Sequence, residues 1–221
     1  MPFSLTALQD RLKTLIQPKP VKYIGQKLYV ACVDQARRPV FYLDYGIEDA
    51  IGARFELLTF HVGLVIHALR ALPADDRRRE QALDTAQALF DSFLEALDNT
   101  LREQGTGDLT VPKKMKKLGG VIYTRMKRWD DLWSEAHAER ASYAARTIFA
   151  GSILNDENDD GEEAMGLLSP DLQRRADAFA AYAERAFAAM NVDAVLRGDL
   201  PGCEIPALSD DISESPSATL A

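Results

Sequence analysis

The sequence predicts an all-α fold: a single-domain bundle of about seven helices over residues 1–198, with a disordered acidic C-terminal tail over 199–221. Three observations predict it. Apolar residues recur at helical spacing along nearly all of the first 198 positions, giving each segment one stripe to bury. Prolines and glycines fall at the ends of those segments, where helices start and stop. The final stretch holds five acids, three prolines and no Lys or Arg, so it can bury too little to offset the entropy of ordering. Neither a fixed-period repeat nor a linker divides the chain.

In order, Leu5, Leu8, Leu12, Leu15 and Ile16 form one face of a first helix that ends before Pro18. Pro20 opens a second, carrying Tyr23, Ile24, Leu28, Ala31 and Cys32. RRPVFYLDYG at 37–46 is aromatic and non-helical in pattern, so it reads as a connection, either a short strand or a packed loop. The third helix runs from about Glu48 to Leu72 and stops before Pro73. Asp75 and Asp76 suit the start of a long fourth helix, with the stripe Leu83, Ala86, Phe90, Phe93, Leu94, Leu97 and Leu101, and Gly105 as its stop. A fifth begins at Pro112 and runs to about His137 with a break near Asp130, and a sixth covers roughly 139–154. Ser169-Pro170 supplies an N-cap and a proline at the first position of a seventh, with Leu172, Ala176, Phe179, Ala183, Phe187 and Met190. A short last turn over 192–197 ends at Gly198.

The remaining signals narrow the function by what they fail to complete. No stretch reaches the ~20 apolar residues that span a bilayer; FHVGLVIHAL at 60–69 is too short and carries two histidines. Asp10, Arg11 and Lys13 interrupt the N-terminal apolar residues, unlike a signal peptide. Cys32 and Cys203 lie far apart and read as free thiols of a reducing compartment. His61 and His67 sit six positions apart, on different helix faces, unlike the i,i+4 pair of a metal site; each reads as a buried or semi-buried histidine. DENDDG at 156–161 copies the first half of a calcium loop. Leu167 then stands where the closing Glu belongs and Glu163 at the apolar eighth position, so it reads as a solvated acidic loop. Phosphate-binding glycine loops, Gly-x-Ser-x-Gly and Cys-x-x-Cys are missing from the sequence. The expectation is a non-enzyme with no catalytic residue, metal, cofactor or small-molecule substrate.

One segment stands out. Residues 107–120 read GDLTVPKKMKKLGG, in a chain of net charge −8. On the fifth helix Met115, Leu118, Ile122, Met126 and Trp129 share one face. Lys113, Lys116, Lys117, Lys127 and Arg128 cluster opposite, with Lys114 and Arg125 at the margin. Residues 111–128 thus hold seven cations and no acid, leaving 19 Lys+Arg against 34 Asp+Glu elsewhere. Cations beside a helix N-terminus are disfavoured by about 0.3–1 kcal/mol each. No Glu lies four residues away from the first four lysines to pair with them. Gly119 borders the apolar stripe and is expected to admit another helix; Gly120 leaves backbone bare on the basic side. The basic face therefore reads as a binding surface, for phosphate-rich RNA, anionic lipid or an acidic protein surface. Asp108, in the preceding turn, joins it, or with Thr110 satisfies the free N–H groups of the helix start.

LDNTLREQGTGDLTVPKKMKKLGGVIYTR, residues 97–125, resembles the ubiquinol–cytochrome c chaperone family, assembly factors of the respiratory cytochrome b–c complex. RFELLTFHVGLVIHALR at 54–70 looks like that family's earlier helix, with Arg54, Phe55 and His61 in matching places, and ARTIFAG at 145–151 is a weaker match. The likeness spans about 35–195. It is most specific in Arg102, Gly105, Gly107, Asp108, Leu109 and the lysine run. Thr124 departs from it, standing where the family often has Gly. The resemblance implies an all-helical chaperone that binds newly made cytochrome b, works with a small partner protein near the ribosome, and touches the membrane peripherally. Its partner-binding residues would be Asp108, Lys113, Lys114, Lys116, Lys117, Gly120, Arg125, Lys127 and Arg128. With no presequence pattern, the expected location is the cytoplasmic face of a bacterial inner membrane, or the mitochondrial matrix and inner membrane in a eukaryote. The alternative is a basic RNA- or ribosome-binding module without chaperone activity.

Overall fold

Ile51–Arg70 is apolar on nearly every side, and a helix of that kind has to be enclosed by others. A computed structural model describes residues 20–150, 169–206 and 208. The expected first helix at 5–16, the end of the sixth beyond 150, the acidic stretch 156–161 and the last residues of the tail lie outside them. Among the described residues the secondary structure is entirely helical: α1 Pro20–Ala36, α2 Pro39–Leu43, α3 Ile51–Arg70, α4 Arg79–Glu103, α5 Val111–Leu132, α6 His137–Thr147, α7 Pro170–Ala188 and α8 Val192–Val195.

Helix α3 is the axis, and it separates two cores. On one side Phe55, Val62, Val65 and Leu69 pack with Leu28 and Cys32 of α1, Leu89 and Phe93 of α4, and Ile122 of α5. On the other, Leu57, Phe60 and Leu64 meet Trp129 of α5, Tyr143 of α6, and Phe179 and Tyr182 of α7. Helix α3 has the length and hydropathy of a membrane span, but 72% of its apolar window is buried in the bundle, as suits a core helix.

Local chemistry accounts for the boundaries. Gly105 adopts φ +77° just after α4, a left-handed conformation that ends the helix. The Ser169 hydroxyl accepts from the Leu172 N–H, and Pro170 occupies the first position of α7. The break expected near Asp130 falls at 133–136, between α5 and α6. The chain from 37 to 46 is neither strand nor loop alone. Pro39 starts the five-residue helix α2, which seats Phe41, fully buried, against His61, Phe179 and Tyr182. Five residues are too few to display a helical period.

Two glycines permit close helix approach. A Cβ at Gly25 of α1 would lie 2.5 Å from the Ala88 backbone carbon of α4, and one at Gly63 of α3 would lie 3.3 Å from Met126 of α5. Gly119, expected to serve that purpose, has no heavy atom within 4 Å of its would-be Cβ.

The tail boundary also moves. Residues 199–206 return to the body: Asp199 pairs with Lys27 at 2.7 Å, Arg38 donates to the Cys203 carbonyl, Ile205 is buried, and the Tyr45 hydroxyl donates to the Pro206 carbonyl. Average composition hides a single anchoring isoleucine.

Candidate interaction surface

Helix α5 carries the site, and its apolar stripe falls on the core as the periodicity requires: Ile122 and Trp129 are buried. The opposite side holds the lysines, and the structure sorts the cations into two groups. In the second half they have carboxylate partners. Arg125 Nε donates to Glu56 at 3.1 Å, Arg128 pairs with Glu135 at 2.7 Å, and Lys127 lies 3.3 Å from Asp131. The Arg125–Glu56 pair is internal, with side chains 15% and 3% exposed. Arg125 therefore leaves the open surface. Burial pushes the Glu56 carboxyl up to about 6, and Arg125 pulls against that shift.

In the first half the lysines face outward. Lys113, Lys114, Lys116 and Lys117 are all exposed. Among the described residues Lys114 donates only to the Thr106 hydroxyl, at 3.2 Å. Lys113 and Lys116 have no carboxylate or hydrogen-bond partner among the described residues. Thr110 does not cap α5 through its side chain, and no acid lies in the first turn. Asp108 is held instead by Arg102 at 2.5 Å, which also binds Asp98. Gly120 is exposed and open, and the Thr124 hydroxyl turns back to donate to the Gly120 carbonyl, so it does not stand over the basic face.

Spacings of four, three and four place Lys116, Gly120, Tyr123 and Lys127 in one strip. Apolar side chains bracket the lysines. Leu109, in the turn before α5, is 97% exposed, and Tyr123 is 69% exposed. Beyond Tyr123 lies an open groove of about 530 Å³ between α4 and α5. Its floor is Ile66 of α3; Leu83, Ala86 and Phe90 line the α4 side, and Tyr123, Met126 and Lys127 the α5 side. Arg70 and Asp130 add charge to its lining. Its size and its apolar lining with few charges suit the side chains of a docked helix.

The lysine run was legible in the sequence, but the groove was not. Leu83 and Phe90 sit in the same periodic stripe as core residues, and only packing shows that the stripe extends past its cover. Tyr123 carried a signal: it is an aromatic residue out of phase with the apolar face and in phase with the lysines.

The two central histidines are structural. His61 Nδ1–H donates to the Leu57 carbonyl at 2.6 Å, and Nε2 accepts from the Tyr182 hydroxyl at 2.8 Å. Burial lowers its pKa to about 4. His67 is half-buried, 2.8 Å from Asp130, with its ring tilted against those of Trp133 and Phe187.

The described residues form a helical bundle with an open apolar groove beside a row of outward lysines. The chain belongs to the ubiquinol-cytochrome C chaperone family, whose model matches residues 43–194, within the span the sequence resemblance marked. It is a chaperone of ubiquinol–cytochrome c reductase assembly. Among solved structures it is similar to the Cbp3 homolog from Brucella abortus, with a TM-score of 0.66 at 22% identity, covering 91% of this chain and 98% of that one. That likeness is one of fold. Comparison with curated protein sequences gives no match.

Proposed function

We propose that the chaperone binds newly made cytochrome b through the α4–α5 groove and the lysine strip beside it. The observation that carries this reading is the juxtaposition of exposed apolar side chains, Leu83 of α4 and Tyr123 of α5, with the outward lysines of α5. A membrane subunit before insertion presents apolar helix faces, which a groove can cover, next to polar connecting segments, which flexible lysines can contact reversibly. The same lysines would meet a small partner protein, the ribosome or the membrane periphery. The place of work would be the cytoplasmic face of a bacterial inner membrane.

The test pairs two surface variants in the source organism. Leu83→Asp with Tyr123→Asp should abolish co-isolation of cytochrome b and lower the assembled complex while the cytochrome b transcript persists. Lys113→Glu with Lys116→Glu should weaken co-isolation and reduce its salt dependence. Both pairs sit on exposed positions, so neither should lower the unfolding midpoint. Undiminished cytochrome b co-isolation from the first pair sinks the groove reading. RNA binding that survives the first pair and vanishes with the second identifies a phosphate-binding module instead.

A further inference from the structure

We infer that the α4–α5 groove takes a helix rather than an extended segment, and takes it in one direction, with the helix C-terminus and an acidic side chain over Arg70. That the helix belongs to a client rests on the function proposed above; its form and direction do not.

The walls dictate the form. Every lining residue lies on α3, α4 or α5. Helix sides have their backbone N–H and C=O groups bonded along their own axis, so the groove offers an occupant no strand edge. Ile66, Leu83, Ala86 and Phe90 have no hydrogen-bonding side chain to offer either. An extended segment laid on them would lose water from its backbone donors and acceptors and gain nothing in exchange. A helix brings its backbone bonds with it and buries side chains alone. Length agrees, since the wall from Leu83 to Phe90 runs about 10 Å, or two helical turns.

Three contacts orient the groove. Gly63 of α3 lies against Met126 of α5, and His67 beside Asp130, so these two helices run the same way. Arg79, at the start of α4, donates to the Arg70 carbonyl, so α4 begins where α3 ends and runs back along it. Arg70, Leu83 and Asp130 therefore mark one end of the groove, and Phe90 and Tyr123 the other. The ends differ in charge. Arg70 is exposed, and its guanidinium has no partner among the described residues. Asp130 is engaged by the His67 ring at 2.8 Å. Lys127 adds a second cation about one turn back along α5 and lies 3.3 Å from Asp131. Phe90 and Tyr123 carry no ionic group. A helix presents free carbonyls and partial negative charge at its C-terminus, and an arginine fork suits both those carbonyls and a carboxylate. The reverse orientation would set free N–H groups and the positive pole on Arg70.

Fluorescence anisotropy with the full chain and three labelled peptides tests this. The first is a stapled three-turn helix of Ala and Gln, with leucines along one face and a single Glu in the last turn. The second moves the Glu to the first turn. The third is the first without its staple and with a central proline. The first should bind tightest, and the third more than about ten-fold more weakly. The second should bind several-fold more weakly than the first, and Arg70→Gln should erase that difference by weakening the first alone. Leu83→Asp with Tyr123→Asp should abolish binding of the first. Equal binding of the proline peptide, a Glu preference that is absent or survives Arg70→Gln, or binding that survives the groove variant would overturn the inference. So would dimerisation of the chain that the groove variant abolishes, which would assign the groove to a second copy. Peptide preferences as expected, with cytochrome b co-isolation intact in the groove variant, would uphold the helix site and reject the client reading. Loss of co-isolation with equal binding of the proline peptide would do the reverse.

Discussion

Replacing His61 by glutamine tests the buried centre of the fold through its pH dependence. The ring is 3% exposed, and both nitrogens are already engaged, one donating to Leu57 and one accepting from Tyr182. A second proton would charge a buried group and face the Tyr182 hydroxyl hydrogen. Burial accordingly holds the pKa near 4, against 6.5 for the free side chain. The unfolded chain takes up the proton first. The stability that the neutral ring supplies is therefore whole above pH 6.5 and is lost as the pH falls toward 4. From about pH 7 to about pH 5 that loss is about 2 kcal/mol. Glu56 opposes it. Its carboxyl, raised by burial from 4.5 to about 6, takes up a proton first in the folded state. Acidification over the same interval then favours folding by about 1 kcal/mol. The two effects partly cancel in the native chain, so its own pH curve conceals them. The variant separates them, because the glutamine amide has no charge to gain. The stability difference between native chain and His61→Gln should shrink by about 2 kcal/mol between about pH 7 and about pH 5. Urea unfolding followed through the fluorescence of Trp129 and Trp133 measures it at each pH. A difference that stays the same at both pH values would mean that His61 titrates as in water, and would refute the bonding scheme assigned to the ring.

Two further substitutions probe the frame that positions the groove. Gly25→Ala places a Cβ 2.5 Å from backbone atoms of α4, which cannot step aside as a side chain can. It should cost about 1–3 kcal/mol or more, read as a lower urea midpoint, whereas Gly119→Ala, with open space around it, should be neutral or slightly stabilising. Arg125→Met strands Glu56 in the interior and should cost about 3–5 kcal/mol at neutral pH. Adding Glu56→Gln should recover much of that loss, and a double variant no more stable than Arg125→Met alone would show that the pair is not coupled.

What the sequence disclosed follows the range over which each interaction acts. The longer described helices, the stops at Gly105 and Gly198, and the cap at Ser169 depend on neighbours within a turn or two, and these are readable in order along the chain. The partners of Arg125 and of His61 lie 69 and 121 positions away, beyond any local pattern. Leu83 was placed correctly on a stripe, but a stripe does not announce where its cover ends. Ile205 shows the converse, since one apolar side chain tied down a stretch whose composition argues for disorder.

The division within α5 bears on why the lysines are there at all. Seven cations on one helix look uniform in sequence, yet Arg125, Lys127 and Arg128 each meet a carboxylate supplied by α3, by α5 itself or by the turn after it. Folding compensates those charges. At the other end, α5 has no acid in its first turn and no side-chain cap, and Asp108 in the preceding turn is taken by Arg102. Lys113 and Lys116 stay exposed at the positive pole of the helix dipole without any described partner. That arrangement opposes stability by about 0.3–1 kcal/mol at Lys113, in the first turn, and by less at Lys116, in the second. Neutral residues at those positions would make a better α5, and nothing among the described residues offsets that cost. An anionic or acidic surface docking there would relieve the repulsion it finds. Reversing Lys113 and Lys116 to Glu should therefore leave the isolated protein slightly more stable while weakening partner binding, and a loss of stability on reversal would place the lysines among the structural charges instead.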